Sequence, residues 1–135
     1  MKPNESARTL PTVYLIDDDP VAAFLLVDLV ESVNLPHRVF NDPATFLTQE
    51  LDGAQGCIVS DLRMPEMDGT ELWRAVGALE PTLLERMVFV TGDILSPAAA
   101  EFLRDSGCPA LEKPFQPQDL LAVVAALLGR HEQPD

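Results

Sequence analysis

Five short apolar runs, each followed by an amphipathic stretch, leave this chain few ways to fold. The runs are Val13-Tyr14-Leu15-Ile16, Arg38-Val39-Phe40, Cys57-Ile58-Val59, Met87-Val88-Phe89-Val90 and a weaker Ala110-Leu111-Glu112. Short, bounded by turn residues and partly β-branched, they read as strands. The intervening stretches read as helices over Pro20 to Val33, Pro43 to Leu51, about Gly69 to Leu79, about Pro97 to Asp105, and Gln118 to Leu128. Asp19 before Pro20 is a favoured helix start, a capping carboxylate followed by proline at the first helical position. Asn41-Asp42-Pro43 after the second run is ordinary turn and capping chemistry. A strand followed by a helix, five times over with short connections, calls for an α/β fold with a parallel sheet covered by helices on both faces.

Composition narrows the function. At 135 residues and 47% hydrophobic content the chain forms one domain with a real core. No run approaches the roughly 18 apolar residues of a membrane span. The first eleven residues lack the apolar stretch of a signal peptide, so a cytoplasmic protein is expected. A net charge of −13 argues against nucleic-acid binding by this chain, because phosphate contacts need a basic face. Two cysteines, Cys57 and Cys108, are too few for a disulfide framework or a complete zinc site and read as small buried hydrophobes. Met64, Met67 and Trp73 read as packing residues, and His37 and His131 as surface residues without partners.

In an open parallel sheet, ligand groups gather at the carboxyl ends of the strands. Here those ends carry Asp17-Asp18-Asp19, Ser60-Asp61, Thr91-Gly92-Asp93 and Glu112-Lys113-Pro114. Converging carboxylates repel one another unless a cation lies between them. Hard oxygen ligands without histidine or cysteine favour Mg²⁺, which takes one or two direct carboxylates plus waters. Lys113 is the only lysine apart from Lys2 in an acidic chain. It is a compact charge suited to an anionic oxygen, and the Thr91 hydroxyl can donate to the same anion. Cation, lysine and hydroxyl together describe a phosphoryl-transfer site.

Four motifs, in order, resemble those of response-regulator receiver domains of two-component signalling: Leu-Ile-Asp-Asp-Asp-Pro, Val-Ser-Asp-Leu-Arg-Met-Pro-Glu-Met-Asp-Gly, Val-Thr-Gly and Leu-Glu-Lys-Pro-Phe. The resemblance spans residues 12 to 128 and is closest to receivers of hybrid sensor kinases or stand-alone receivers. It implies a doubly wound, flavodoxin-like sheet of strand order 2-1-3-4-5. It places a receiver domain at 12–129 between tails at 1–11 and 130–135. It implies that Asp61 accepts a phosphoryl group from a phosphohistidine of a histidine kinase or histidine phosphotransfer protein. Asp18, Asp61 and the main-chain carbonyl of Arg63 would hold Mg²⁺, with Asp17 assisting through water. Thr91 and Lys113 would hold the phosphoryl oxygens, Gly92 would leave them room, and a cis bond before Pro114 is expected. The only catalysis implied is of the chain's own phosphorylation and dephosphorylation.

Some positions depart from the family or vary within it. Many receivers carry Tyr or Phe three residues before the lysine, where this chain has Ala110. Output is then expected through the loop after Thr91 and the helix from Pro97. Arg63 and Asp93 stand at the positions that influence water access to the acyl phosphate, and their opposite charges suggest a pair across the site. Phe24-Leu25-Leu26-Val27 cannot all face the sheet, so part of the first helix is expected to dock the kinase. The apolar last helix is a second candidate for a contact, including a homodimer. The rival reading is a haloacid-dehalogenase-like phosphatase, whose Asp-x-Asp-x-Thr/Val signature fits Asp17-Asp18-Asp19-Pro20-Val21 and would make Asp17 the nucleophile. A flavin binder of the same fold class is disfavoured because carboxylates stand where a phosphate needs donors.

Overall fold

The structure is a computed structural model that describes residues 11–51, 54–65, 67–92 and 96–132, with side chains to residue 129. The elements are β1 Thr12–Ile16, α1 Pro20–Glu31, β2 His37–Phe40, α2 Pro43–Gln49, β3 Gly56–Asp61, α3 Gly69–Leu79, a 3-10 helix Pro81–Arg86, β4 Met87–Thr91, α4 Pro97–Ser106, β5 Ala110–Glu112 and α5 Pro117–Glu132. All strand pairs are parallel, in the order β2-β1-β3-β4-β5.

Local chemistry explains where the helices start. Asp19 caps α1 by accepting from the Val21 amide at 3.0 Å. Asp42 caps α2 through the Thr45 amide at 2.8 Å. Asp68 and Glu71 close a reciprocal capping box on α3, at 2.9 and 3.0 Å. Ser96 caps α4, and Gly107 ends that helix at φ 73°, a left-handed conformation that glycine adopts without penalty. Proline occupies the first position of α1, α2, α4 and α5.

Strand alternation divides the core into two layers. Tyr14, Ile16, Ile58 and Phe89 pack under α2, α3 and α4 with Phe46, Leu72 and Val76. Val13, Leu15, Val59, Val88 and Val90 pack under α1 and α5 with Leu26, Val30, Leu120 and Val124. Cys57 and Cys108 are both free and buried, and Met64 is buried while Met67 and Trp73 pack partly against the core.

Several details differ from the expectations. β3 runs on to Asp61, which is still paired with Val90, so the strand's last residue is itself a site residue. The 3-10 helix lacks a clear apolar period and was not legible. α5 continues past Leu128 to Glu132, because Gly129 weakens a helix by only about 1 kcal/mol relative to alanine and does not stop it. His37 is not without a partner: its Nε2 lies 3.7 Å from Glu31 Oε2 and its Nδ1 is 3.1 Å from the Leu35 carbonyl, since β2 runs back beside the end of α1. The His131 side chain lies outside the described residues. On α5 the large apolar residues Leu120, Val124, Leu127 and Leu128 are buried, and Ala122, Ala125 and Ala126 are exposed. Leu121 and Val123 are half-buried, so most of the helix's large apolar residues pack on the core. On α1, by contrast, Val21, Phe24 and Leu25 are 68, 68 and 58% exposed.

Candidate functional site

Parallel pairing brings the ends of β1, β3, β4 and β5 to one edge of the sheet. Asp17 extends from β1, its amide bonded to the Phe40 carbonyl at 3.0 Å. Its side chain is 1% exposed, and Oδ1 accepts from the Asp19 amide at 2.9 Å. Asp61 ends β3 with its side chain 13% exposed; Oδ1 accepts from the Arg63 amide at 3.1 Å. Lys113 follows β5, and its amide donates to the Thr91 carbonyl at 2.9 Å, which ties the lysine to the buried Thr91. The Lys113–Pro114 bond is cis, as expected.

The Lys113 ammonium lies 3.2 Å from Asp61 Oδ2 and 3.6 Å from Asp17 Oδ2. Asp18 is exposed, yet one oxygen each from Asp17, Asp18 and Asp61 lie within 4.8 Å of one another. Two carboxylates thus share one ammonium with a third beside them, leaving net negative charge for a further cation. Burial pushes the Asp17 carboxyl above the usual range; the Asp19 amide and Lys113 oppose this, and Asp61 and Asp18 add to it. Burial alone would lower the Lys113 pKa, but the pull of Asp17 and Asp61 outweighs it and the ammonium is held above its ordinary value.

A metal fits these residues on two observations. The donors are all oxygens, the chemistry of Mg²⁺. Among the described residues Asp17 Oδ2 is buried and accepts no well-formed hydrogen bond, the Lys113 ammonium standing off at 3.6 Å, although buried carboxylate oxygens are normally satisfied.

Arg63 is exposed beside Asp61, and Asp93 lies outside the described residues. Gly92 is exposed, and a Cβ built on it meets no atom within 4 Å, so packing does not demand the glycine and the space beside Thr91 is open. Sequence reasoning missed the groove that leads to the site. Leu25, Leu26 and Leu29 of α1 face Pro114, Phe115 and Pro117 across a cavity of about 460 Å³, with Asp17 and Lys113 also in its wall. The exposed apolar run on α1 was legible; its opposing wall is brought there only by the path of the chain after β5.

The residue pattern of the response regulator receiver domain matches residues 13–125. The chain belongs to the response-regulator receiver domain family.

Phosphorylation on an aspartate is characteristic of that family, and its members generally bind Mg²⁺ at an acidic cluster. The chain is 30% identical over 116 residues to the response regulator protein TmoT of Ectopseudomonas mendocina, covering 86% of this chain and 52% of that protein. It is 35% identical over 123 residues to the transcriptional regulatory protein FixJ of Azorhizobium caulinodans, covering 91% and 57%. The chain therefore spans about half the length of the curated relatives it matches. Among solved structures, full-length FixJ from B. japonicum superimposes with TM-score 0.77 at 32% identity, over 90% of this chain and 59% of that one. A CheY-like receiver domain protein of Methanospirillum hungatei gives TM-score 0.80 at 23% identity, over 91% and 97%, a likeness of fold. Among the described residues no helix is long and apolar enough to cross a membrane.

Proposed function

We propose that this receiver accepts a phosphoryl group on Asp61 from the phosphohistidine of a histidine kinase or histidine phosphotransfer protein, in the cytoplasm. The supporting observation is the Lys113 ammonium 3.2 Å from Asp61 Oδ2 and 3.6 Å from the buried Oδ2 of Asp17. A carboxylate oxygen of Asp61 attacks phosphorus, the phosphorus–nitrogen bond breaks, and the imidazole leaves with the electron pair. Lys113 and the Thr91 hydroxyl hold the oxygens of the transferring group, and Gly92 leaves its approach open. Asp18, Asp61 and the Arg63 carbonyl would hold Mg²⁺, with Asp17 assisting through water. When bound, the ion offsets charge on the phosphoryl oxygens and the clustered carboxylates. Arg63 and Asp93 govern how water reaches the acyl phosphate.

The donor protein must bring its imidazole to the sheet edge, and the groove between α1 and the segment after β5 opens beside Asp17 and Lys113. A helix of the donor would lie there against Leu25, with the exposed Phe24 beside it on α1. The rival phosphatase reading needs Asp17 as nucleophile, but that side chain is 1% exposed against 13% for Asp61. Incubation with Mg²⁺ and a small acyl phosphate, followed by intact mass, tests the proposal. Asp61→Asn should abolish uptake while Asp17→Asn retains some. Uptake that persists in Asp61→Asn and vanishes in Asp17→Asn would return the phosphatase reading.

A further inference from the structure

Ala110 stands opposite Phe89 in the pairing of β4 with β5. Its methyl group and the Phe102 ring of α4 both pack against the core cluster on that face of the sheet. The Phe102 ring centre lies 5.4 Å from Phe89 and 5.8 Å from Trp73, edge-on in both pairs at 75° and 82°. Strand β4 and helices α3 and α4 therefore meet in one aromatic stack.

The inner end of the stack is fastened to the site. Phe89 is fully buried two residues before Thr91. Leu62, which follows Asp61, accepts from the Gly69 amide at 2.8 Å. A Cβ on Gly69 would lie 2.7 Å from Leu62 Cδ1 and 2.8 Å from the Phe89 ring, so the first turn of α3 rests on both without slack. A close-packed interior transmits such a displacement instead of absorbing it.

The outer end is free to respond. Trp73 is partly exposed and borders two hollows. One, of about 430 Å³, lies between α3 and α4 beside Arg74 and Glu101. The other, of about 450 Å³, lies beside Leu84 and Cys108. The buried indole N–H makes no well-formed hydrogen bond among the described residues, but lies close enough to the Cys108 thiol to oppose the upward push of burial on it. The ring's position therefore rests on its packing against Phe102 together with that contact.

We infer that the Phe89–Phe102–Trp73 stack carries the state of Asp61 to the surface, so that phosphorylation moves Trp73 and reshapes the hollow between α3 and α4. This rests on the phosphoacceptor reading above. A phosphoryl group brings a charge of about −1.5 to −2 and three acceptor oxygens to Asp61. Thr91 and the Asp61–Leu62 segment adjust to it, and both bear on Phe89 and Gly69.

Trp73 is the only tryptophan, so its emission reports this site alone. The protein is loaded with Mg²⁺ and a small acyl phosphate, or with a phosphorylated kinase if that donor is not used. Uptake is followed by intact mass, and Trp73 by emission and acrylamide quenching. Emission should change with the same rate constant as uptake. In Phe102→Leu the change should shrink by roughly half or more while uptake stays within about twofold, and uptake itself certifies a folded site. Phosphorylated protein with unchanged Trp73 emission and quenching would overturn the inference, as would a full response in Phe102→Leu. No uptake from either donor would sink the phosphoacceptor reading, and this inference with it.

Discussion

Lys113 and Asp61, 52 residues apart in sequence, meet at 3.2 Å between ammonium and Oδ2. The same ammonium reaches Asp17 Oδ2 at 3.6 Å, so one cation serves carboxylates from two strands. That sharing offsets part of the repulsion between the two carboxylates and places the lysine beside the oxygen proposed to attack phosphorus.

Lys113→Met should slow phosphoryl uptake from a small donor by about a hundredfold, the scale at which single stabilising groups act in transition states. Rates from intact mass at saturating Mg²⁺ check this. A rate within about threefold of the original would remove Lys113 from the chemistry.

Mg²⁺ should stabilise the protein, by about 2.7 kcal/mol at a hundred times its dissociation constant. Asp17→Asn keeps an acceptor for the Asp19 amide but removes a charge from a crowded, buried cluster. The metal-free variant should be at least as stable as the parent, and the Mg²⁺-dependent gain should largely vanish. Urea unfolding with and without Mg²⁺ measures both. An undiminished gain would exclude Asp17 from the metal site.

Cys57 bears on stability at high pH. Burial pushes its thiol from 9.0 up to about 12. Between those values the unfolded chain has lost the proton that the folded protein keeps, so stability falls as pH rises. The slope is about 1.4 kcal/mol per pH unit for this one group. Below pH 9 the effect is absent. Cys57→Ala should show a shallower decline from pH 9 to 12, at a cost of about 1 kcal/mol near neutrality for the small cavity. Identical slopes would mean that the folded thiol ionises normally.

Phe24 and Leu25 distinguish docking from chemistry. Changing both to Ser should leave uptake from a small acyl phosphate within about twofold, since Leu25 lines the groove beside Asp17 and Lys113 without belonging to the carboxylate cluster itself. Stability should move by less than about 1 kcal/mol, as both are mostly exposed. Transfer from a phosphorylated kinase should fall by about tenfold or more. Equal transfer would place the donor on another face.

The local layer of this fold was readable because its causes are local. Asp19 before Pro20 and Asp42 before Pro43 act within a few residues of themselves, and the helices begin where these residues stand. The apolar runs likewise marked strands covered by helices on both faces. The 3-10 helix Pro81–Arg86 escaped because six residues hold too little periodicity to register. The partner of His37 escaped because it comes from the end of α1, brought alongside by the pairing of β2 with β1.

The sequence by itself determined which groups the strands deliver to one edge: three carboxylates, a threonine hydroxyl and a lysine. Strand order, known once the elements alternate and the motifs are matched, was enough to collect them. Only the tertiary structure decided what each group experiences there. It buried Asp17 and left one of its oxygens without a hydrogen bond, while Asp18 stayed in solvent. It opened a groove between Leu25 and Phe115, and it set the Phe102 ring edge-on against Phe89, the residue paired with Ala110. Burial and contact are properties of segments far apart in the chain, and no pattern of neighbouring residues encodes the distance between them.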